Sequence, residues 1–444
     1  MELNLEQFAG RVFEAAQQAG VAPAELLFVR TESFAARVRD GALEDYQVSD
    51  RVSATLRGRA GGRIGTAGTQ ALDEESIALL IQGVCESAAL IENDEQDDIL
   101  PPEERYETVC NYSAELDALP AQEKIALAMD IDRRMHGDDP RLRPDTSVVS
   151  TAKSTVSMRN TLGLNLTHTS NMIYAYTSAL AREEGSAATG FKLLWGYGLR
   201  DVDAQAIADG CREDALANLG AGRTKSGETP AVIRASAMAD LLSTFAGVFS
   251  ADNAQKGMSL LAGREGSAVA SACVTITDDP LLPWGMNSRP FDMEGAAART
   301  KNVVEGGVLK TLLHNRQTAR RAGTVTTGNA AGGGRVAPGN LFIAPGTRSP
   351  EELLQNMGDG LYVTEVSGLH AGANPISGDF SLLARGFEVR GGERTRAVEQ
   401  FTVAGNFYRL LEDVLSVGND LTFEGSPIGS PSVAVRALSV AGED

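Results

Sequence analysis

Four histidines and four cysteines are the scarce chemistry-bearing side chains of this 444-residue chain: His136, His168, His314 and His370, and Cys85, Cys110, Cys211 and Cys273. A catalytic zinc commonly takes two histidines one helical turn apart with a glutamate beside the first, so that both imidazoles share a face and the carboxylate activates the metal-bound water. No two histidines here lie within a few residues of each other. The cysteines are far apart, with no C-x-x-C, which argues against a zinc cluster and a disulfide framework. Scattered buried thiols in a reducing compartment are the expectation. No G-x-S-x-G elbow is present. "AAGGGR" at 330–335 lacks the G-K-[ST] ending of a phosphate loop, and "GRAGGRIG" sits between strand patterns, not before a helix. One stretch remains, "SGLHAGANPISGDF" at 367–380, with Asp379 nine positions after His370. It reads as an active-site loop with His370 as base or metal ligand, or as a turn built by glycine, Asn374 and Asp379.

The elements that must position these residues follow from hydrophobic spacing. Leu5, Phe8, Ala9, Val12, Phe13 and Ala16 share a helical face, with Gly20 as a stop. Phe34, Ala36 and Val38 alternate as a strand into an Asp40-Gly41 hairpin turn, and Val52, Ala54 and Leu56 mark a third strand. "GRIGTAGT" continues as a strand, and helices are expected over "DEESIALLIQGVCESAALI" and "AQEKIALAMDIDRRM". Between these helices "ENDEQDDILPPEERYE" reads as a solvated loop. A meander spans about 148–199 with its turn at 160–163, and a helix over "DAQAIADGCREDALANLG" closes the first half. The second half opens with a helix over "SAMADLLSTFAGVFSAD" and continues as strand and glycine-rich turn. A late helix is expected over "NFYRLLEDVLSVGND", with Asn406 as N-cap and Gly418 as stop. The fold class is α+β: an N-terminal helix-and-antiparallel-sheet domain at 1–225 and a C-terminal β-rich domain at 226–444.

Charge and length bound the function. Lys+Arg 40 against Asp+Glu 59 leaves a net charge of −19. Such a surface repels phosphate backbones, so no nucleic-acid partner is expected. No apolar run approaches the roughly 20 residues of a membrane span. "MELNLEQFAGRVFEAAQ" has no signal-peptide pattern, and a cytoplasmic location is expected.

Several turns occur in an order that identifies them together. "VRDGALE" and "GRIGTAGT", then "RNTLGLNL", then "PFDMEGAAARTKNVVEGGVLKTLLHNRQTA", then "GLHAGANPISGDF", "VAGNFYRLLEDVLSVGND" and "GSPIGSPSVAVRALSVAG" resemble the TldD/PmbA family, also called modulators of DNA gyrase, over nearly the whole chain. The resemblance is closest to the PmbA/TldE branch. It implies that TldD-type members carry a His-Glu-x-x-x-His helix at the start of the C-terminal domain and a zinc-dependent peptidase site, and pair with a PmbA/TldE-type subunit lacking those ligands. The corresponding helix here lies near 237–252. Its histidine positions are held by Leu242 and Gly247 and its glutamate position by Ser243, none of which suits zinc chemistry. The C-terminal "EGSPIGSPS" also lacks the cysteine of TldD-type chains.

The resemblance thus implies a non-catalytic subunit of a zinc metalloprotease complex acting on unfolded peptides. No cofactor is expected in this chain, and zinc belongs to a TldD-like partner, with a heterodimer or a homodimer as the assembly. His370, Asn374 and Asp379 become candidates to face the peptide groove or the partner. Two alternatives are an independent hydrolase built on His370 and Asp379, and a regulatory or binding protein without a protease role.

Overall fold

The computed structural model describes residues 4–91, 98–137 and 139–443. The N-terminal half is built on one six-stranded sheet, in the order Arg63–Thr69, Ala42–Ala60, Ala24–Arg39, Leu142–Asn160, Asn165–Glu183, Ser186–Gly196, with every pair antiparallel. The helices Leu5–Gln18 and Glu74–Leu90 cover one region of it, burying Phe8, Val12, Leu26, Leu56, Leu80 and Val84 together. The helices Ala121–Met135 and Ala204–Ala217 join a second core containing Ile131, Val149, Ile173 and Ile207. Asn4 and Asp73 cap the first two helices with their side chains, accepting from Gln7 N and Ser76 N. Each satisfies a backbone donor that the first turn leaves free.

Phe34, Ala36 and Val38 are buried as their alternation predicts, and the hairpin turns at Asp40 and Gly41, both at positive φ (48° and 74°). The sequence suggests two strands between 42 and 58. The structure has one, Ala42–Ala60. Asp50, a natural turn residue, lies inside that continuous strand and accepts from Arg30 on the neighbouring strand at 2.7 Å. Of the acidic loop expected after the second helix, 92–97 lie outside the described residues.

The C-terminal half closes a sheet on itself. Val433–Ala441 pairs with Gly227–Ile233 along one edge and with Glu393–Asn406 near its end, Thr402 opposite Ala441. Gly360–Ser367 and Asp379–Arg390 complete the ring. The closing contact is short, Thr402–Ala404 against Ser439–Ala441, and Val414–Val417 covers Val433–Val435 on the same side. A smaller five-stranded sheet, which includes Ile276–Asp278, Lys301–Glu305 and Leu341–Ile343, lies alongside.

Two helix expectations need correction. The segment 237–252 is not one helix. It runs as Ala235–Phe245, a 3-10 turn Ala246–Phe249, and a short helix Ala251–Gln255 that Ser250 caps. The regular helix stops just before Gly247, whose carbonyl is taken by Asn253 Nδ2 at 2.8 Å; glycine is the weakest helix former after proline. The late helix is also shorter. Asn406 does cap it, but it spans only Phe407–Glu412, and Val414–Val417 is a strand paired with Val433–Ala441. The two valines there gain burial in a ladder, which overrides a helical sequence pattern. The thiols differ as well: Cys211 is buried and Cys85 half-buried, but Cys110 and Cys273 are exposed.

Candidate functional site

The helix Ala235–Phe245 faces two ways. Met238, Leu241, Leu242 and Phe245 enter the C-terminal core, where Phe245 stacks on Phe407 with ring centroids 4.7 Å apart. Ser236, Ala239 and Asp240 line a cleft of about 620 Å³ between the two halves of the chain. Of the three positions singled out from the sequence, Leu242 is fully buried in the core, Ser243 is exposed, and Gly247 sits in the 3-10 turn.

The cleft is charged. Arg385 spans its walls, donating to Asp214 Oδ2 at 3.0 Å and to the Thr189 carbonyl at 2.9 Å and pairing with Glu365. Arg234 reaches Glu424 at 3.4 Å. Asp240 has no cation partner among the described residues. Its carboxyl is pushed up to about 6, first by desolvation within the cleft and then by the negative charges of Glu424 and Glu365. Its surface is open to water at the cleft mouth, so the shift comes from concave walls and like charges and not from a sealed interior. Asp240 therefore changes protonation closer to neutrality than an ordinary carboxylate. No group of three or more His, Cys, Asp or Glu side chains suited to a metal exists among the described residues. The sequence reading missed Asp240; the available signal was its place one turn after Ser236 on the polar side of the helix.

The loop at 367–380 does not assemble a His–Asp pair. His370 lies on the four-residue helix Leu369–Gly372 and is exposed. Asp379 accepts from Asn406 Nδ2 at 2.8 Å and from its own turn through Ser377, and these bonds hold its carboxyl below the usual range. Asn374 Oδ1 accepts from the backbone N–H groups of Ile376 and Ser377 at 3.0 and 3.2 Å. The glycines bring the loop against its own chain. A Cβ on Gly372 would sit 2.3 Å from the Ser381 carbonyl oxygen. Gly378 has φ +83°, and a Cβ there would meet the Tyr408 ring at 2.6 Å. Asp379 and Asn406 also line a surface cavity of about 430 Å³.

Two other polar turns, around 288–301 and 326–337, fold into a buried knot. The Asp278 carboxylate accepts from Lys301 Nζ at 2.8 Å, Asn329 Nδ2 at 2.7 Å and Gly339 N at 2.6 Å. Asp292 accepts three backbone N–H groups, from Glu294, Ala296 and Ala330. His314 is buried, bonded through Nδ1 to Thr318 Oγ1 at 3.2 Å, and burial pushes its pKa down. Asp278, Asp292, Lys301, His314 and Asn329 thus all find partners within the chain, which marks these five side chains as scaffolding. The four histidines stay dispersed, and His136 sits at a helix end beside Asp132.

Residues 24–88, 114–219 and 226–442 match the PmbA/TldA metallopeptidase domain 1, central domain and C-terminal domain, respectively. A solved structure from Thermotoga maritima, a candidate modulator of a DNA gyrase, superposes with a TM-score of 0.93 at 33% identity, covering 99% of this chain and 100% of that one. This chain belongs to the PmbA/TldD family. The TldE structure from Thermococcus kodakarensis shares the fold, with a TM-score of 0.89 at 21% identity over 98% of this chain and 100% of that one. The metalloprotease PmbA of Escherichia coli O157:H7 is 28% identical over 265 residues, 60% of this chain and 57% of that protein. A metalloprotease of Archaeoglobus fulgidus is 36% identical over 220 residues, 44% of this chain and 51% of that protein. The sequence likeness to these two relatives thus spans little more than half of their length.

Proposed function

We propose that this chain is a non-catalytic, PmbA/TldE-type subunit that pairs with a zinc-bearing, TldD-like peptidase and forms part of a chamber for unfolded peptides. One observation carries the reading: at the positions where the resemblance puts the zinc ligands of peptidase members, this segment offers a core leucine (Leu242), an exposed hydroxyl (Ser243) and a residue without a side chain (Gly247). Those residues do not fit a zinc ion, which needs imidazole, thiolate or carboxylate donors.

Support for partner or peptide contact comes from the N-terminal sheet. Arg63–Thr69 pairs only with positions 54–60 of its neighbour, so among the described residues the outer length of Ala42–Ala60 keeps an open edge. Tyr46 and Val48 are exposed there, at 57% and 71%. Such an edge accepts an added strand through main-chain hydrogen bonds without strong sequence preference. His370, Asn374 and Asp379 face outward on another surface that a partner or peptide can reach.

The test is to purify the chain alone and co-expressed with a TldD-like chain, then measure mass, zinc content and turnover of unfolded peptides. The expected result is zinc and activity only in the pair. Metal-free peptidase activity intrinsic to the lone chain would overturn the reading.

A further inference from the structure

The chain has two tryptophans, Trp195 and Trp284, and both line one surface recess of about 500 Å³. Trp195 ends the last strand of the N-terminal sheet, Tyr197 follows just past it, and Trp284 comes from a turn of the C-terminal half. The rings form a row, with centroids 6.1 Å apart from Trp195 to Tyr197 and 4.8 Å from Tyr197 to Trp284. Gly196, Arg200 and Asp201 complete the lining. None of these residues lines the charged cleft beside Asp240.

Trp284 is the informative residue. Its backbone sits at φ +57°, a left-handed conformation that bulky side chains rarely adopt. Its backbone N–H donates to the Cys110 carbonyl at 2.9 Å and fixes it there, yet the side chain stays 48% exposed. Strain of this kind clusters at ligand clamps. The other two rings are anchored by their polar atoms. Trp195 Nε1 donates to the Phe423 carbonyl, and Tyr197 Oη to the Gly285 carbonyl at 3.1 Å. What they offer the recess is π surface. Asp201 is engaged as well. Its Oδ2 accepts from Tyr197 N at 2.7 Å, and it packs so closely over Gly196 that a Cβ there would sit 2.2 Å from its own. The Arg200 guanidinium is different: it is exposed and has no hydrogen-bond or ion-pair partner among the described residues.

We propose that this recess binds a peptide C-terminus that ends in an aromatic residue, with the ring against Trp284 and Tyr197 and the carboxylate on Arg200. Offset or edge-to-face ring contacts supply attraction beyond the area they bury. The planar, solvent-accessible guanidinium fork matches a carboxylate. Ring faces also attract cations, but the unpaired positive charge of Arg200 repels them and selects an anion. The volume lies within the range of small-ligand sites. The assignment does not depend on the subunit role, because every group named belongs to this chain.

Tryptophan fluorescence of the purified chain reads the site directly, because both indoles of the protein belong to it. The probes are N-acetyl-phenylalanine, its amide, N-acetyl-alanine, tetramethylammonium and a pentapeptide ending in phenylalanine. N-acetyl-phenylalanine and the pentapeptide are expected to change the emission saturably, with affinities within tenfold of each other. The amide, N-acetyl-alanine and tetramethylammonium are expected to bind at least tenfold more weakly. Arg200→Gln, a surface change, is expected to leave the melting temperature as it is and to weaken the acid at least tenfold without altering the amide. Trp284→Leu, measured by calorimetry, is expected to weaken the acid at least tenfold as well. Equal binding of acid and amide, tetramethylammonium as tight as the acid, a pentapeptide that does not bind, or full affinity in Arg200→Gln would each overturn the proposal.

Discussion

Asp379 accepts a hydrogen bond from Asn406 Nδ2 at 2.8 Å, while Asn406 Oδ1 caps the helix Phe407–Glu412 by accepting from Tyr408 N at 3.1 Å. One amide side chain therefore ties the glycine-rich loop to the helix behind it. The carboxylate that the sequence offered to His370 is engaged elsewhere. Asn406→Ala is expected to cost about 0.5–2 kcal/mol, the usual range for a lost N-cap, whereas exposed His370→Ala should stay within about 0.5 kcal/mol. Urea denaturation of both variants checks the ranking. Peptide turnover by the co-purified complex should be unchanged in His370→Ala, and a large loss there would restore the catalytic reading of this loop.

Gly378 is expected to resist substitution. Its backbone lies at φ +83° and its missing Cβ would overlap Tyr408. Gly378→Ala combines backbone strain with a steric clash, together about 1–3 kcal/mol. Gly391→Ala, also at positive φ (+56°) but in open space, isolates the backbone contribution. Equal melting temperatures for the two variants would mean that the Tyr408 contact is irrelevant.

The knot in the C-terminal half predicts strong coupling. Lys301 and Asp278 are 13% and 0% exposed and pair at 2.8 Å. Lys301→Met strands a buried carboxylate and is expected to cost about 3–5 kcal/mol. The double variant with Asp278→Leu should recover part of that loss, because both charges leave together. A double-mutant cycle on unfolding free energies measures the coupling, and additive losses would contradict it.

Asp240 makes stability depend on pH in a defined direction. Its folded pKa, pushed up to about 6, lies above the ordinary carboxyl value of about 4. The folded state therefore binds the proton more tightly than the unfolded chain does. Its contribution favours folding at low pH and is lost as pH rises through about 4 to 6. Asp240→Asn is expected to match the parent near pH 4 and to be the more stable protein near neutrality. Urea midpoints across that range test this, and identical curves would remove Asp240 as the source.

Leu242 has become a core residue. Leu242→Ala is expected to lose about 2–5 kcal/mol. A Leu242→His, Ser243→Glu, Gly247→His chain should be at least as unstable and retain no zinc after dialysis, because position 242 points into the core beside Phe245. Retained zinc at one equivalent would show that the helix can still turn its ligand face outward.

Much of the fold is legible in the sequence. The helices at 5–18, 74–90, 121–135 and 204–217 announce themselves by hydrophobic spacing, and the hairpin at Asp40-Gly41 by turn chemistry. Where a single segment's own periodicity decides its state, sequence suffices. The late helix failed because Val414 and Val417 find strand partners about 20 residues on. The histidine-to-aspartate pairing failed because Asn406, distant in sequence, claims Asp379.

By itself the sequence determined the α+β class, the absence of sequence-local metal ligands at Leu242, Ser243 and Gly247, and a resemblance carried by the order of its turns. Tertiary structure alone decided which polar groups are satisfied. It closed the C-terminal sheet through the pairing of Thr402 with Ala441, set Asp240 among Glu365 and Glu424, and gathered Trp195, Tyr197 and Trp284 around one recess. Burial and charge act through space between residues remote in the chain, so neither can be read from spacing along it.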